Sequence, residues 1–454
     1  MELVSPAGNI EKLKYAYVYG ADAAYIGLKK FSLRVKADNF YGEEYKEIKA
    51  LKEKYPGKKL FCALNISFHN KDIDNFISDI DYFKLYPFDA FIVQDVGMIP
   101  ILQKYFPSTA LHLSTQANCI NREAVKLYKS LGLKRVVLGR EASLAEIRQI
   151  KDAVPEMELE VFGHGAMCIA YSGRCLMSAY LTARSANSGH CSHACRWEYK
   201  LLEEKQRPGE YFPVIEGDDY TAILSSKDLC MIDHLDDMQK AGVDALKIEG
   251  RMKSLYYVAL VTRAYRKGID CLKGKITKDE AQKYADELYN AAHREFSTGF
   301  YYNREDADKT TTGESSSCYE LMGTIGEKLD TKAVLEIAKK TEQEDKQTLD
   351  AMYPPEREAV LKARKEKNDI RIYPTEKKNF HFYRYNSMNK LDAGTELEYV
   401  GADIISIKDN TYQFVDPDTG LVKNWISHGH ECLIYTDKPI SADFIVRIKT
   451  TDES

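Results

Sequence analysis

Eight short apolar runs recur through the first 250 residues of this chain, and most are followed by a helical pattern. They are Glu2-Leu3-Val4, Ala23-Ala24-Tyr25-Ile26-Gly27, Leu60-Phe61-Cys62-Ala63-Leu64-Asn65, Ala90-Phe91-Ile92-Val93-Gln94-Asp95, Ala110-Leu111-His112-Leu113-Ser114, Arg135-Val136-Val137-Leu138-Gly139, Leu159-Glu160-Val161-Phe162-Gly163 and Ala245-Leu246-Lys247-Ile248-Glu249-Gly250. Helical periodicity falls between them, at residues 10–19, 73–85, 122–131, 144–150 and 231–241. Runs that are apolar almost throughout belong to strands covered on both faces, which means a parallel sheet with crossover helices. Eight such units predict a TIM-like (β/α) barrel at least as well as an open doubly wound sheet. Ser5-Pro6-Ala7-Gly8 after the first run is not a glycine-rich dinucleotide fingerprint, and no GxxxxGK phosphate loop occurs. Polar residues recur instead where the strands end: Asn65, Gln94, Asp95, Ser114 to Gln116, Arg140, Glu141, His164, and Glu249 to Lys253. In a barrel those ends form the catalytic mouth.

The periodicity breaks after the seventh strand, over residues 189–220, which read as an inserted segment. Two helical stretches, 255–267 and 278–295, close the barrel region at about residue 305. Residues 306–318 are rich in Asp, Thr, Gly and Ser and read as a linker. Residues 319–454 read as a small, mainly-β C-terminal barrel or sandwich. Its expected strands include Leu321 to Ile325, Ala333 to Ile337, Thr395 to Tyr399, Thr411 to Phe414 and Phe444 to Ile448. Residues 351–367 are charged and read as a surface helix or a disordered insert. His428-Gly429-His430 could form a ligand pair, but these two and His381 read as surface residues.

No apolar stretch reaches the length of a membrane span, and the N-terminus does not read as a signal peptide. The expected compartment is the cytoplasm. With a formal charge of −5 and a pI near 6.1, nothing global advertises nucleic-acid binding, although a local basic face would suffice. Most of the 31 tyrosines are expected in the core rather than on stacking platforms.

Four of the ten cysteines fall within 28 residues: Cys168, Cys175, Cys191 and Cys195. Cys230 follows in Ser225-Ser226-Lys227-Asp228-Leu229-Cys230. A cytoplasmic setting disfavours disulfides and points to metal ligands or redox thiols. The two-residue spacing of zinc knuckles is absent, and so is the repeated CxxC of simple ferredoxins. Four soft ligands suit zinc and iron–sulfur equally, while structural thiols are the plain alternative. His164 lies four residues before Cys168, which also admits a thiol nucleophile with a histidine base.

The run Glu160 to Ser178 carries Gly165-Ala166-Met167-Cys168, Gly173 and Cys175. With Tyr19-Gly20-Ala21-Asp22-Ala23, Phe31-Ser32-Leu33-Arg34, Ala37-Asp38-Asn39-Phe40 and Lys247-Ile248-Glu249-Gly250-Arg251-Met252-Lys253, it resembles the peptidase U32, or collagenase-like protease, family. The resemblance covers most of residues 1–305 and only loosely the remainder. Cys191-Ser192-His193-Ala194-Cys195-Arg196-Trp197 and Arg207-Pro208-Gly209-Glu210-Tyr211 are similar to the branch of prephenate-dependent hydroxylases that form 5-hydroxyuridine at the wobble position of tRNA.

That resemblance implies an oxygen-independent tRNA hydroxylase with a 4Fe-4S cluster held by Cys168, Cys175, Cys191 and Cys230, with Cys195 as the alternative fourth ligand. It implies the tRNA anticodon arm and prephenate as partners, together with an electron donor. Arg34, Gln116, Arg174, Arg251 and Lys253 are then candidates for binding at the mouth, since arginine offers a bidentate fork to carboxylates. Glu249 would orient an arginine or handle a proton, with Arg251 and His164 beside it as catalytic candidates. The alternatives are a U32-type peptidase, or a hydroxylase of another RNA or a small aromatic substrate. HExxH and GxSxG motifs are absent.

Overall fold

The eight apolar runs become β1 (Glu2–Pro6), β2 (Ala23–Ile26), β3 (Lys59–Leu64), β4 (Ala90–Val93), β5 (Ala110–Leu113), β6 (Arg135–Val137), β7 (Glu158–Ala166) and, after a short strand β8 (Asp228–Cys230), β9 (Ala245–Ile248). In this computed structural model, β1 to β7 pair in sequence order, and β9 pairs in parallel with both β1 and β7. The barrel is therefore closed, with eight parallel strands. The described residues are 1–33, 37–168, 170–196, 215–216, 221–222, 226–303, 317–366 and 371–450. They form two units, Met1–Ser317 and Cys318–Ser454. Among them no helix is long and apolar enough to cross a membrane.

Alternation along each strand divides its side chains between two layers. Leu3, Ala24, Ile26, Leu60, Phe91, Leu111 and Leu246 face the surrounding helices in one large cluster. Val4, Tyr25, Phe61 and Ile92, with the small Ala23, Ala90 and Ala245, fill a separate cluster within the barrel. The charged residues embedded in the apolar runs are satisfied there. Glu160, fully buried, accepts from Lys247 Nζ at 2.8 Å and Arg135 Nη1 at 2.9 Å. Arg135 also reaches Glu2 at 2.9 Å and Glu158 at 2.5 Å. Buried charge is tolerated because each group has a partner.

The helices start where their caps dictate. The side chains of Asn9, Asn121, Ser143, Ser254 and Thr277 each accept from a backbone N–H of the first turn, opening helices Ile10–Val18, Arg122–Ser130, Leu144–Ala153, Leu255–Leu272 and Lys278–Asp286. Ser143 forms a full capping box with Glu146.

β7 runs three residues past its expected end at Gly163. β8 lies antiparallel on that extension, with Asp228 opposite Ala166 and Cys230 opposite His164. Asp228 is held by Arg294 through two side-chain hydrogen bonds of 3.1 and 2.6 Å, both residues buried.

The second unit is a curled antiparallel sheet of eight strands, spanning Tyr319–Lys328 to Ile445–Lys449. Here one expectation is corrected: residues 333–337 are not a strand but part of helix Thr331–Ala351. Asp330 caps it by accepting from Lys332 N, and Val334, Leu335 and Ala338 are its buried face. Val334 and Leu335 pack with Phe382, Val415, Leu433 and Tyr435 of the sheet. A five-residue apolar window carries too little periodicity to separate the two. A second helix, Pro354–Glu366, follows where a surface helix or disordered insert was expected. Most of the expected linker lies outside the described residues.

Candidate functional site

Beyond Ala166 the chain folds back over the mouth of the barrel in a series of tight pieces. These are turns Tyr171–Gly173 and Ala186–Ser188, the short helix Met177–Thr182 between them, and a last turn Ala194–Arg196. Gly165 begins this path with φ +109°, and a Cβ there would lie 2.6 Å from the Glu249 carbonyl oxygen. Only glycine allows so close an approach. Ser172 adopts φ +47° and is fixed from below. Its N–H donates to Glu141 Oε1 at 2.5 Å, and its hydroxyl lies 2.7 Å from Asn118 Oδ1 and 3.0 Å from Glu141 Oε2. Ser192 N donates to Ser178 Oγ at 3.0 Å, tying the second cysteine pair to the helix. Asn187 donates to the Cys175 carbonyl at 3.3 Å, and its own carbonyl accepts from Ser67 N at 3.1 Å.

This roof covers a cavity of about 260 Å³. Its charged and polar lining includes Gln116, Arg140, Glu141, Glu249 and Lys253, and its apolar lining Met167, Met177, Met252 and Phe300. Cys168, Cys175, Cys191 and Cys195 all border it. A smaller space of about 40 Å³ adjoins, bordered by Tyr25, Asn65, Lys247 and Arg251, and sharing Gln116 and Glu249 with the first.

The four cysteines thus ring one cavity, yet the iron–sulfur expectation is overturned. Among the described residues no group of three or more His, Cys, Asp or Glu side chains is assembled to hold a metal ion. The residues present do not fit a 4Fe-4S cluster. Cys230 does not border the cavity. It sits on β8 with Sγ 3.8 Å from the Tyr265 hydroxyl, and burial pushes its thiol up to about 11. Cys195 does not complete a set in its place.

The remaining expected site residues separate into four groups. Gln116, Glu249 and Lys253 border the main cavity. Gln116 Oε1 accepts from Asn65 at 3.3 Å and from the Ser114 hydroxyl. The Tyr25 hydroxyl lies 3.5 Å from Glu249 Oε2, and Lys253 Nζ donates to the Ala292 carbonyl at 3.1 Å. Arg251 is buried beneath, beside the smaller space, with its guanidinium 5.9 Å from the Tyr25 ring centre. It fills the place of a side chain at Gly27, where a Cβ would lie 2.1 Å from Nη1.

His164 and Arg174 do not border either cavity. His164 is enclosed by Tyr257, Tyr265 and Phe296, with Nδ1 3.3 Å from the Tyr265 hydroxyl. Burial pushes its imidazole down to about 3, so it is neutral near pH 7. Arg174 is exposed on the outside of the roof. Arg34 lies outside the described residues, as do Trp197 and residues 207–211 of the quoted motifs.

Arg140 and Glu141 were legible as polar strand ends but received no site role. Both border the cavity: Glu141 anchors the roof through Ser172, and Arg140 lies with its guanidinium 4.0 Å from the Phe162 ring centre. The signal was their position just past β6.

Residues 8–311 match the profile of Peptidase family U32. The chain is 40% identical over 341 residues to tRNA hydroxylation protein P of Escherichia coli, covering 66% of this chain and 74% of that protein. It is 42% identical to tRNA hydroxylation protein P1 of Bacillus subtilis, covering 71% and 76%. It is 31% identical to a collagenase of Porphyromonas gingivalis, covering 66% and 73%. A profile match over more than half the chain, joined to these identities, shows that the chain belongs to peptidase family U32.

Proposed function

We propose that this protein hydroxylates tRNA, forming 5-hydroxyuridine at the wobble position without molecular oxygen and with prephenate as a required small molecule. The observation that carries the reading is the similarity, at 40% and 42% identity, to proteins named for tRNA hydroxylation. The cavity supports it. Its place at the C-terminal ends of the strands is where barrel enzymes carry out chemistry, and an extruded pyrimidine needs an enclosed pocket with polar groups for its edge. Gln116 offers an amide for that edge, and Glu249 a carboxylate for proton transfer. Arg251 and Lys253 supply positive charge for the carboxylates of prephenate. Tyr171 and Tyr180, 48% and 85% exposed on the roof, are suited to stack on bases flanking the target. The reading places the protein in the cytoplasm, with its tRNA substrate.

The family name and the collagenase similarity carry the alternative, a peptidase. A Cys168 nucleophile would need a base, and the ring of His164 is turned into an aromatic enclosure with Tyr265. Mass spectrometry of tRNA nucleosides from a strain lacking the gene, with and without a plasmid copy, tests the proposal. Loss of 5-hydroxyuridine and its derivatives, restored by the plasmid, is expected. Unchanged nucleosides in that strain, together with gelatin cleavage by the purified protein, would replace the proposal with the peptidase.

A further inference from the structure

Arg140 is an arginine at the cavity wall with half of its donor capacity uncommitted. Nη1 donates to the Ala166 carbonyl at 2.7 Å, which fixes the side chain against the end of β7. The guanidinium face lies over Phe162 at 4.0 Å. On the other edge, Nε is buried and has no hydrogen-bond partner among the described residues. Among the described residues, the acidic group set against Nη2 is Glu249 Oε2, at 3.9 Å, an ion pair without a hydrogen bond. Both side chains are largely buried, 14% and 17% exposed, and both border the cavity.

An arginine held by one nitrogen and one face leaves Nη2 as a charge-assisted donor for a carboxylate, with the enclosed Nε beside it completing the fork when the side chain shifts toward the ligand. A buried donor without an acceptor is costly, and a ligand that supplies the acceptor recovers that cost on binding. Glu249 is too distant to satisfy the edge but close enough to repel a second anion.

We propose that Arg140 receives one ligand carboxylate in this cavity, beside the positive charge of Lys253, and that Glu249 sets the affinity by competing for the same guanidinium edge. The inference rests on the reading of the cavity as a site that takes prephenate, but it concerns any small organic carboxylate. Glu249 then has two opposed effects: its charge weakens ligand binding, while its proton-handling role favours turnover.

Isothermal titration of the purified full chain with prephenate, and separately with malonate, tests this in four proteins: wild type, Arg140→Gln, Arg140→Lys and Glu249→Gln. Arg140→Gln is expected to weaken carboxylate binding at least tenfold. Arg140→Lys, which keeps the charge but loses the fork, is expected to fall between it and wild type. Glu249→Gln is expected to bind several-fold more tightly while hydroxylating more slowly, a split that a merely structural role for Arg140 does not produce. Thermal melts of each variant confirm folding, and should Arg140→Gln fail to fold, Glu249→Gln still decides. Glu249→Gln binding no tighter than wild type, or a folded Arg140→Gln binding equally well, overturns the inference. So does a wild type that binds neither acid. Binding of malonate but not prephenate upholds the inference and removes prephenate from the proposed function.

Discussion

Glu160 is the residue whose loss the barrel should feel most. Burial alone would push its carboxyl up, but the Lys247 ammonium and the Arg135 guanidinium override that and hold it at about 2, below the ordinary 4.5. A lowered carboxylate stabilises the fold at pH values above its unfolded pKa. Here that stabilisation is complete above pH 4.5 and is lost as pH falls toward 2, and its size is about 3 kcal/mol. Glu160→Gln at pH 7 removes it and leaves Lys247 buried beside Tyr25 with no carboxylate within ion-pair distance among the described residues. Breaking one side of a buried pair costs about 3–5 kcal/mol, which sets the upper end of the expectation. Replacing both partners, as in Glu160→Gln with Lys247→Met, is expected to recover most of the loss, because no unpaired charge remains. A chain of two units need not unfold in one step, so the measurement must be local. Hydrogen exchange of peptides covering β7 and β9 provides that, read at pH 7 and again in acid. Protection in those strands should drop by two or more orders of magnitude in the single variant, and the gap from wild type should narrow as pH falls toward 3. A single variant within 1 kcal/mol of wild type, or a double variant less protected than the single, would refute the account of the charged layer as mutually dependent.

Gly165→Ala is expected to fold but lose most activity, because its Cβ would displace the Glu249 carbonyl at the cavity floor; tRNA nucleoside analysis of a complemented strain reads the loss. Glu141→Gln is expected to weaken the hold on the Ser172 N–H and hydroxyl by about 1–3 kcal/mol, seen as faster exchange confined to residues 170–178 with the barrel strands unchanged. His112 and His164 are both pushed down to about 3, chiefly by burial. They bind protons more readily unfolded than folded, so stability should decline as pH falls below 6.5; imidazole resonances of both that stay neutral through pH 5 in the folded protein check the cause.

The barrel was legible because its strands are buried on both faces, which leaves a local signature. Phe61-Cys62-Ala63-Leu64 and Ala90-Phe91-Ile92-Val93 need no partner to be recognised as strands. What local pattern does not carry is pairing. β7 extends to Ala166 because β8 supplies a second set of hydrogen bonds, and Asp228 and Arg294, 66 residues apart, hold that pair in place. The same blindness explains residues 333–337, where the decision for helix rests on Asp330 before the run and on Phe382 and Leu433 far beyond it. At the site, Gln116, Glu249 and Lys253, legible as polar residues at strand ends, border the cavity. The rule that strand ends form the mouth failed for His164 because β7 does not end there. A residue inside a continuing strand can face the surrounding helices, and His164 meets Tyr265 of helix Leu255–Leu272.

The cysteines show why density in sequence is weaker evidence than convergence in space. Thiolate ligands must share one centre, which requires the segments carrying them to be free to close on it. Here each segment has its own tether: Ser172 to Glu141, Asn187 to the Cys175 carbonyl, and Ser192 to Ser178. Those tethers spread Cys168, Cys175, Cys191 and Cys195 around a cavity wall, and Met167, Met177 and Met252 share that wall. Sulfur in such a wall is polarizable and tolerant of shape, and it contacts aromatic rings favourably. Arg140 and Glu249 supply the charge that the sulfurs lack. The cysteines converge on one cavity wall, which no spacing rule for metal ligands would detect.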